Sequence, residues 1–412
     1  MRNLLFIAYH FPPLQGSSGI QRTLAFAKYL PQFGWQPHIL STHIRAYPKV
    51  RLSDNDLIPS GIEVHRSFAL DSRRHLSLGG RYLELLAVPD RWQSWILPGI
   101  IQGVRIARAQ AVEAICSTYP IASAHVIGYG VSKLTGIPWV ADLRDPMLQT
   151  GFPSGELRRK TFGAIERLIV RHASRMIVTT PGAAEFYRER YGEQLSGRIA
   201  IIENGYDDAA FPQPRALEAR SIDRDLQLLH SGLLYGQDRN PSNFFAALSD
   251  ILQEPEFNQR NVKVILRAPG SELPLDQLIE QFHLGNVVEV KPAAPYREAL
   301  AEMVAADALI IFQSAACNRQ IPAKAYEYLY AGRPIVGMTD PAGDTGRLLA
   351  SAGIEATAPL EDRAAITRIV RENLRLIRAD QAPLPDPVRV AQLSRQARTQ
   401  ELAGLLDGVL HH

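Results

Sequence analysis

The sequence predicts an α/β protein of two doubly wound domains facing one another across a cleft, and three observations carry that expectation. Short apolar runs at residues 4–8, 37–41, 114–117, 139–141, 176–179 and 199–202 alternate with longer stretches of helical periodicity, the pattern of a parallel sheet covered by helices. The alternation starts afresh at residues 226–230, 262–267, 287–290, 308–312 and 334–337 without repeating the sequence. Finally, 412 residues exceed what one hydrophobic core usually supports, and a polar, proline-bearing stretch at 207–214 separates the two series.

The first run leads into a crossover helix in which Ile20, Leu24, Ala27 and Leu30 recur at helical spacing, with Gly34 at the expected stop. The first domain is expected over residues 1–206 and the second over 207–385, with the boundary near 206–222. Beyond residue 362 the pattern is helical except at 382–387, where three prolines mark a crossing or hinge.

Composition narrows the function classes. The chain is 46% apolar and 21% charged, ordinary for a globular protein, and its net charge of +3 is too small for a nucleic-acid footprint. Cys116 and Cys317 stand far apart and outside any C-x-x-C spacing, so neither a disulfide framework nor a zinc site is expected from them. No apolar run reaches eighteen residues, which points to a cytoplasmic protein, soluble or peripheral at the inner face of a membrane. The terminal His411-His412 pair is assigned no function.

Ligands of doubly wound sheets collect outside the carboxyl ends of the strands, so the loops there are where chemistry is expected. After the first run, Gly16, Ser17, Ser18 and Gly19 allow close backbone approach beside helix amides that favour an anion, or they simply turn the chain. Neither G-x-G-x-x-G nor G-x-x-x-x-G-K-[ST] occurs, which argues against a nicotinamide-dependent dehydrogenase and a P-loop enzyme. In the second domain Lys324, in a first helical turn after Pro322, suits a diphosphate, and Glu327 on the same face suits a sugar or ribose diol; a solvated surface pair is the other reading. Gly232 opens a loop that supplies Arg239, a guanidinium able to grip phosphate oxygens. Gly343, Asp344 and Thr345 precede a helix and either contact the same ligand or cap that helix. Asp142, Arg144 and Asp145 follow a buried strand of the first domain. They read either as catalytic groups that orient or deprotonate an acceptor hydroxyl or as an internally neutralised cluster.

Residues 66–110 carry Arg66, Arg73, Arg74, Arg81, Arg91, Arg105 and Arg108 against Asp71, Glu84 and Asp90, interrupted by Trp92, Trp95, Ile96, Leu97, Ile100 and Ile101. Such mixing suits a membrane surface or a lipid-linked acceptor, or else helices packed on the core.

Taken together, the opening strand with Phe11-Pro12-Pro13, Gly16, Gly19 and Gln21-Arg22, the Asp142-Leu143-Arg144-Asp145-Pro146 segment, Asn204-Gly205-Tyr206-Asp207, the Gly232 to Arg239 loop and the Lys324 to Pro334 helix resemble bacterial nucleotide-sugar glycosyltransferases of the GT-B fold, glycosyltransferase family 4 type. The resemblance covers nearly the whole chain. It implies two Rossmann-like domains, a nucleotide-diphosphate sugar (UDP or GDP) held mainly by the second, and retaining hexosyl transfer without a bound metal or other cofactor. The acceptor would be a saccharide or lipid-linked saccharide of cell-surface polysaccharide or glycolipid synthesis. It also implies a helix over 386–412 returning to the first domain. By similarity Glu327 matches the second acid of the family's E-x7-E signature, while the first acid is replaced by Arg319; Arg239 resembles a phosphate-binding cation. A sugar-nucleotide epimerase or phosphorylase on the same frame and a non-catalytic sugar-nucleotide-binding subunit are the rival readings.

Overall fold

The structure, a computed structural model, describes every residue except 17, 18, 78, 80, 150, 213–224, 258–261, 411 and 412. Part of the expected interdomain stretch and the Ser17 and Ser18 positions therefore lie outside the described residues. Contacts divide the chain into two units, Met1–Asn204 with Arg395–His412, and Gly205–Ser394.

The amino-terminal sheet is built from β1 (Arg2–Ile7), β2 (Trp35–Thr42), β3 (Glu63–Ser67), β4 (Ala114–Thr118), β5 (Trp139–Arg144), β6 (Arg175–Val178) and β7 (Ile199–Ile201). Its order is β3-β2-β1-β4-β5-β6-β7 and every strand pairing is parallel. The order reverses between β1 and β4, so the loops leaving those strands diverge to opposite faces and open a crevice at their carboxyl ends. Strand periodicity feeds two cores. Leu5 and Ile7 pack with Trp95, Ile127 and Trp139 on one face, while Leu4 and Phe6 pack with Phe26 and Trp35 on the other.

That second face is completed from the far end of the chain. Leu402, Ala403, Leu406 and Val409 of the helix Arg395–Leu410 belong to its core. Asp407 of the same helix accepts from Trp35 Nε1 at 2.9 Å and Arg2 Nη1 at 2.6 Å. The return to the first unit begins at Arg395 rather than at 386, because Val390 and Leu393 are buried with Tyr206 and Leu329 in the second unit.

The carboxy-terminal sheet comprises β8 (Leu226–Ser231), β9 (Val262–Arg267), β10 (Val288–Lys291), β11 (Ala308–Phe312), β12 (Ile335–Met338) and β13 (Thr357–Ala358), in the order β10-β9-β8-β11-β12-β13 and again parallel. Here the reversal lies between β8 and β11. Two strands escape the sequence pattern: β3, an edge strand of sequence EVHRS in which only the last residue is buried, and the two-residue β13.

Candidate functional site

In the carboxy-terminal unit the strands on either side of the switch point end in His230 and Ser231 on β8, followed by Gly232, and in Gln313 and Ser314 after β11. Gly232 adopts φ +116° and donates its amide to the Arg267 carbonyl at 2.8 Å. A methyl group at this position would lie 2.8 Å from Lys324 Nζ, so glycine is what lets the amine come down onto the strand end. The lysine is delivered by the helix Ala323–Ala331, which follows Pro322, ends on the left-handed Gly332, and buries Ala325, Tyr326, Glu327, Tyr328 and Leu329.

Lys324 Nζ sits 3.1 Å from His230 Nε2. The other ring nitrogen lies 2.9 Å from the Ile310 carbonyl, which can only accept, so Nδ1 carries the proton and Nε2 offers its lone pair to the amine. Burial pushes Lys324 well below the ordinary lysine range, Arg239 adds to the shift, and Glu327 opposes it. Burial likewise holds His230 well below the usual imidazole value, with Lys324 contributing. The result is a pair of basic side chains short of negative charge at the mouth of the switch point, where an incoming anion would restore the missing field. Arg239 is half-buried, its guanidinium 5.0 Å over the Tyr235 ring. Glu327 is buried and accepts from Tyr296 Oη at 2.7 Å. The solvated surface pair considered for Lys324 and Glu327 is thus not what forms.

Gly343, Asp344 and Thr345 lie at the amino end of the helix Asp344–Ser351. Their side chains turn inward. Thr345 Oγ1 donates to the Gln320 carbonyl at 3.1 Å, and Asp344, 2% exposed, accepts from Arg347 at 2.6 Å. A Cβ at Gly343 would meet Asn318 Oδ1 at 2.8 Å, so this loop packs directly on the segment that follows β11. Arg319 stands half-buried in that segment.

The amino-terminal unit brings its candidates together at β5. Asp142 is 1% exposed and accepts from Arg22 Nε and Nη2, each at 3.1 Å, and from Thr118 Oγ1 at 2.9 Å. Arg22 also donates to the Ile202 and Glu203 carbonyls at 3.0 and 2.9 Å. Asp142 is therefore a brace joining β4, β5 and the end of β7 to the first helix, not a group free to take an acceptor proton. Arg144 follows a register shift in β5 and adopts φ +61°, with its carbonyl accepting from both Thr179 N and Thr179 Oγ1 at 3.0 Å. Its Nη1 donates to the Tyr119 carbonyl at 3.4 Å. Asp145, half-buried beside that backbone kink, forms no hydrogen bond through its carboxylate among the described residues. Burial raises its pKa, Arg144 and Arg22 pulling the other way. At the end of β1, His10 is lowered to about 3 by burial and by Arg144. Gly16, at φ +82°, has open space where a side chain would stand, and Gly19 starts the first helix.

Sequence reasoning gave His230 and Ser314 no role, and it quoted Arg22 only in the Gln21-Arg22 pair of the resemblance, with no bracing role. A histidine closing an otherwise apolar strand and an arginine in the first turn of a helix, where the dipole disfavours it, were the available signals for His230 and Arg22. Ser314 Oγ is buried without a hydrogen-bond partner among the described residues, beside the β8/β11 reversal; nothing in the sequence marks it. The proposed insertion surface at 66–110 needs correction. Trp92 and Trp95 are core residues whose indoles donate to the Ala46 carbonyl and Ser67 Oγ, and Arg66 donates to the Pro12 and Thr42 carbonyls. Leu83, Leu85, Leu97 and Ile101 remain exposed. No helix among the described residues is long and apolar enough to cross a membrane.

Comparison with known proteins bears on the fold. Residues 18–205 match the model of the glycosyl transferase 4-like domain. No curated protein sequence matches the chain. Among solved structures, sucrose-phosphate synthase from Thermosynechococcus elongatus superposes with a TM-score of 0.71 at 16% identity, covering 100% of both chains. Anabaena HepE in complex with UDP and glucose does so with 0.67 at 16% identity over 99% of this chain and 100% of its own. A putative UDP-N-acetylglucosamine 2-epimerase from Listeria monocytogenes reaches 0.58 at 10% identity, over 98% and 96%. With residues 18–205 matching a glycosyl transferase 4-like domain and two parallel sheets in sequence, the chain has the two-domain GT-B fold of these structures.

Proposed function

We propose that the protein is a retaining hexosyltransferase that moves a sugar from a nucleotide-diphosphate donor to a saccharide or lipid-linked saccharide acceptor, the carboxy-terminal unit holding the donor. The observation that carries this reading is the buried Lys324 amine seated on Gly232 at the β8/β11 reversal, with Arg239 adding positive field. Cleaving a glycosyl phosphate bond develops negative charge on the departing diphosphate, and preorganised cations in a site of low dielectric lower that barrier. Lys324 and Arg239 meet that charge, doing without a bound metal; Gly232, Gly343 and the amides of the helix Asp344–Ser351 line the phosphates, and Glu327 takes the ribose diol. Ser314 and His230 join this set. HepE is described with UDP and with UDP-glucose, which favours uridine over guanosine as the base.

On the amino-terminal unit, Asp145 orients the acceptor hydroxyl while Asp142 and Arg144 fix its position. The departing phosphate helps to take the acceptor proton on the same face. Exposed Leu83, Leu85, Leu97 and Ile101 near exposed Arg81, Arg105 and Arg108 support a lipid-linked acceptor at the inner membrane face. Flotation with anionic vesicles at low salt checks that part.

The decisive experiment measures thermal shifts with UDP, GDP and ADP, followed by turnover of the corresponding sugar nucleotides. A shift with UDP that Lys324→Met abolishes is expected. If Lys324→Met and Arg239→Ala both retain wild-type donor binding and turnover, the assignment is wrong. Conversion of UDP-N-acetylglucosamine to its epimer with no acceptor present would place the protein with the epimerases that share its fold.

A further inference from the structure

On the edge of the amino-terminal sheet, two strands away from the β1/β4 reversal, lies a cluster that the proposed reaction does not use. Glu63 and His65 alternate on β3 and so share one face, and His38 of β2 is the register partner of Glu63. Glu63 Oε2 lies 3.5 Å from His38 Nδ1 and 3.4 Å from His65 Nε2, and the three donor atoms all fall within 4.8 Å of one another. We propose that His38, Glu63 and His65 form a binding site for a divalent transition-metal ion of the zinc class.

The donor chemistry is what favours a cation here. His38 Nε2 is 3.2 Å from the Asn3 amide oxygen, which accepts a proton from it, so the neutral ring turns the lone pair of Nδ1 toward Glu63. His38 Nδ1 and His65 Nε2 are both buried atoms with no hydrogen-bond partner among the described residues. Two imidazole nitrogens and a carboxylate oxygen thus converge, and the His38 Nδ1 lone pair facing the Glu63 carboxylate is a pair of acceptors that a cation between them would satisfy. A tetrahedral zinc ion with bonds of roughly 2.0–2.1 Å holds its donors about 3.3 Å apart, close to both spans to the carboxylate. Asn3 occupies the outer position that fixes a ligating histidine's tautomer and orientation. Entry is from solvent, since the Glu63 and His65 side chains are 55% and 27% exposed while that of His38 is 6%. Gln110, which caps the carboxyl end of the helix Ile96–Ala109, donates to Glu63 Oε2 at 3.5 Å, placing a helix end whose carbonyls favour a cation beside the cluster.

The test uses the full chain, stripped with a chelator and titrated with zinc chloride in competition with a chromophoric zinc indicator, and separately with cobalt(II). Wild type is expected to take one equivalent that His65→Ala and Glu63→Gln each weaken at least tenfold, and its cobalt form to show visible bands that both variants lose. His411 and His412 are retained in every protein, so the difference between proteins excludes them. Circular dichroism checks folding; should His65→Ala misfold, Glu63→Gln, altered at an exposed side chain, decides. Zinc uptake and cobalt spectra indistinguishable between wild type and the variants would overturn the site and leave a carboxylate shared by two histidines through a proton.

Discussion

At the residue scale the molecule turns on a lysine in an unfavourable place. Lys324 is buried, stands in the first turn of a helix whose dipole disfavours a cation, and feels Arg239. A diphosphate would reverse each of those penalties. Lys324→Met is therefore expected to weaken donor binding by tens to hundreds of fold, since a charge-assisted hydrogen bond contributes about 1.5–3 kcal/mol. Isothermal titration reads this directly, and an unchanged affinity would remove Lys324 from the site. The same depression fixes a pH dependence. Free Lys324 has a pKa below the ordinary 10.5, and a bound diphosphate raises it, so donor binding takes up a proton in the interval between the two. Affinity for a nucleotide sugar, whose esterified phosphates do not titrate near neutrality, should fall as pH rises through that interval. Titrations in buffers of different ionisation enthalpy will show the proton uptake in wild type and its loss in Lys324→Met. Gly232→Ala should act in the same direction, because its methyl would press on Nζ from 2.8 Å.

At the scale of elements, the parallel strands were legible because their buried runs are apolar and short. β9 and β11 are read to the residue at Val262–Arg267 and Ala308–Phe312. β3 was not, because an edge strand with one buried residue carries no apolar signal, and it is β3 that supplies two of the three proposed metal ligands. The loops were located for the same reason the strands were, since switch-point ligand sites follow strand ends. What the side chains do there was less readable. Asp142 and Asp145 are three residues apart and alike in sequence context, yet one is sealed by Arg22 and the other, beside the left-handed Arg144, is half-buried with no hydrogen bond to its carboxylate among the described residues. Only tertiary contacts with a residue 120 positions away separate their roles. The brace gives a prediction at this scale. Arg22→Ala leaves the Asp142 carboxylate buried with Thr118 as its remaining hydrogen-bond donor, a loss of about 3–5 kcal/mol by the usual cost of breaking a buried pair. Urea unfolding of the Arg22→Ala protein should show it. An effect below about 1 kcal/mol, the size of an exposed ion pair, would mean the pair is screened by solvent.

At the scale of the whole molecule, sequence order and core membership part company. The last helix, Arg395–Leu410, closes the amino-terminal core, so that unit cannot complete its fold until the end of the chain exists. Leu402 and Leu406 are fully buried, and a buried leucine contributes about 1.5–3 kcal/mol by area alone, against a typical domain stability of about 5–15 kcal/mol. Truncation after Ser394 should therefore unfold the amino-terminal unit while leaving the carboxy-terminal core, which draws on none of the removed residues, intact. Leu406→Ala is the milder form of the experiment, with an expected cost of about 2–5 kcal/mol. Two readouts separate the units: the fluorescence of Trp35, Trp92, Trp95 and Trp139, all in the amino-terminal unit, and nucleotide binding, proposed for the other. Leu406→Ala should shift the tryptophan transition to lower urea and leave the nucleotide affinity measured in buffer unchanged. A tryptophan transition unmoved by either change would mean that the helix does not belong to the core it covers, whereas nucleotide affinity falling in step with it would place the donor site outside the carboxy-terminal unit alone.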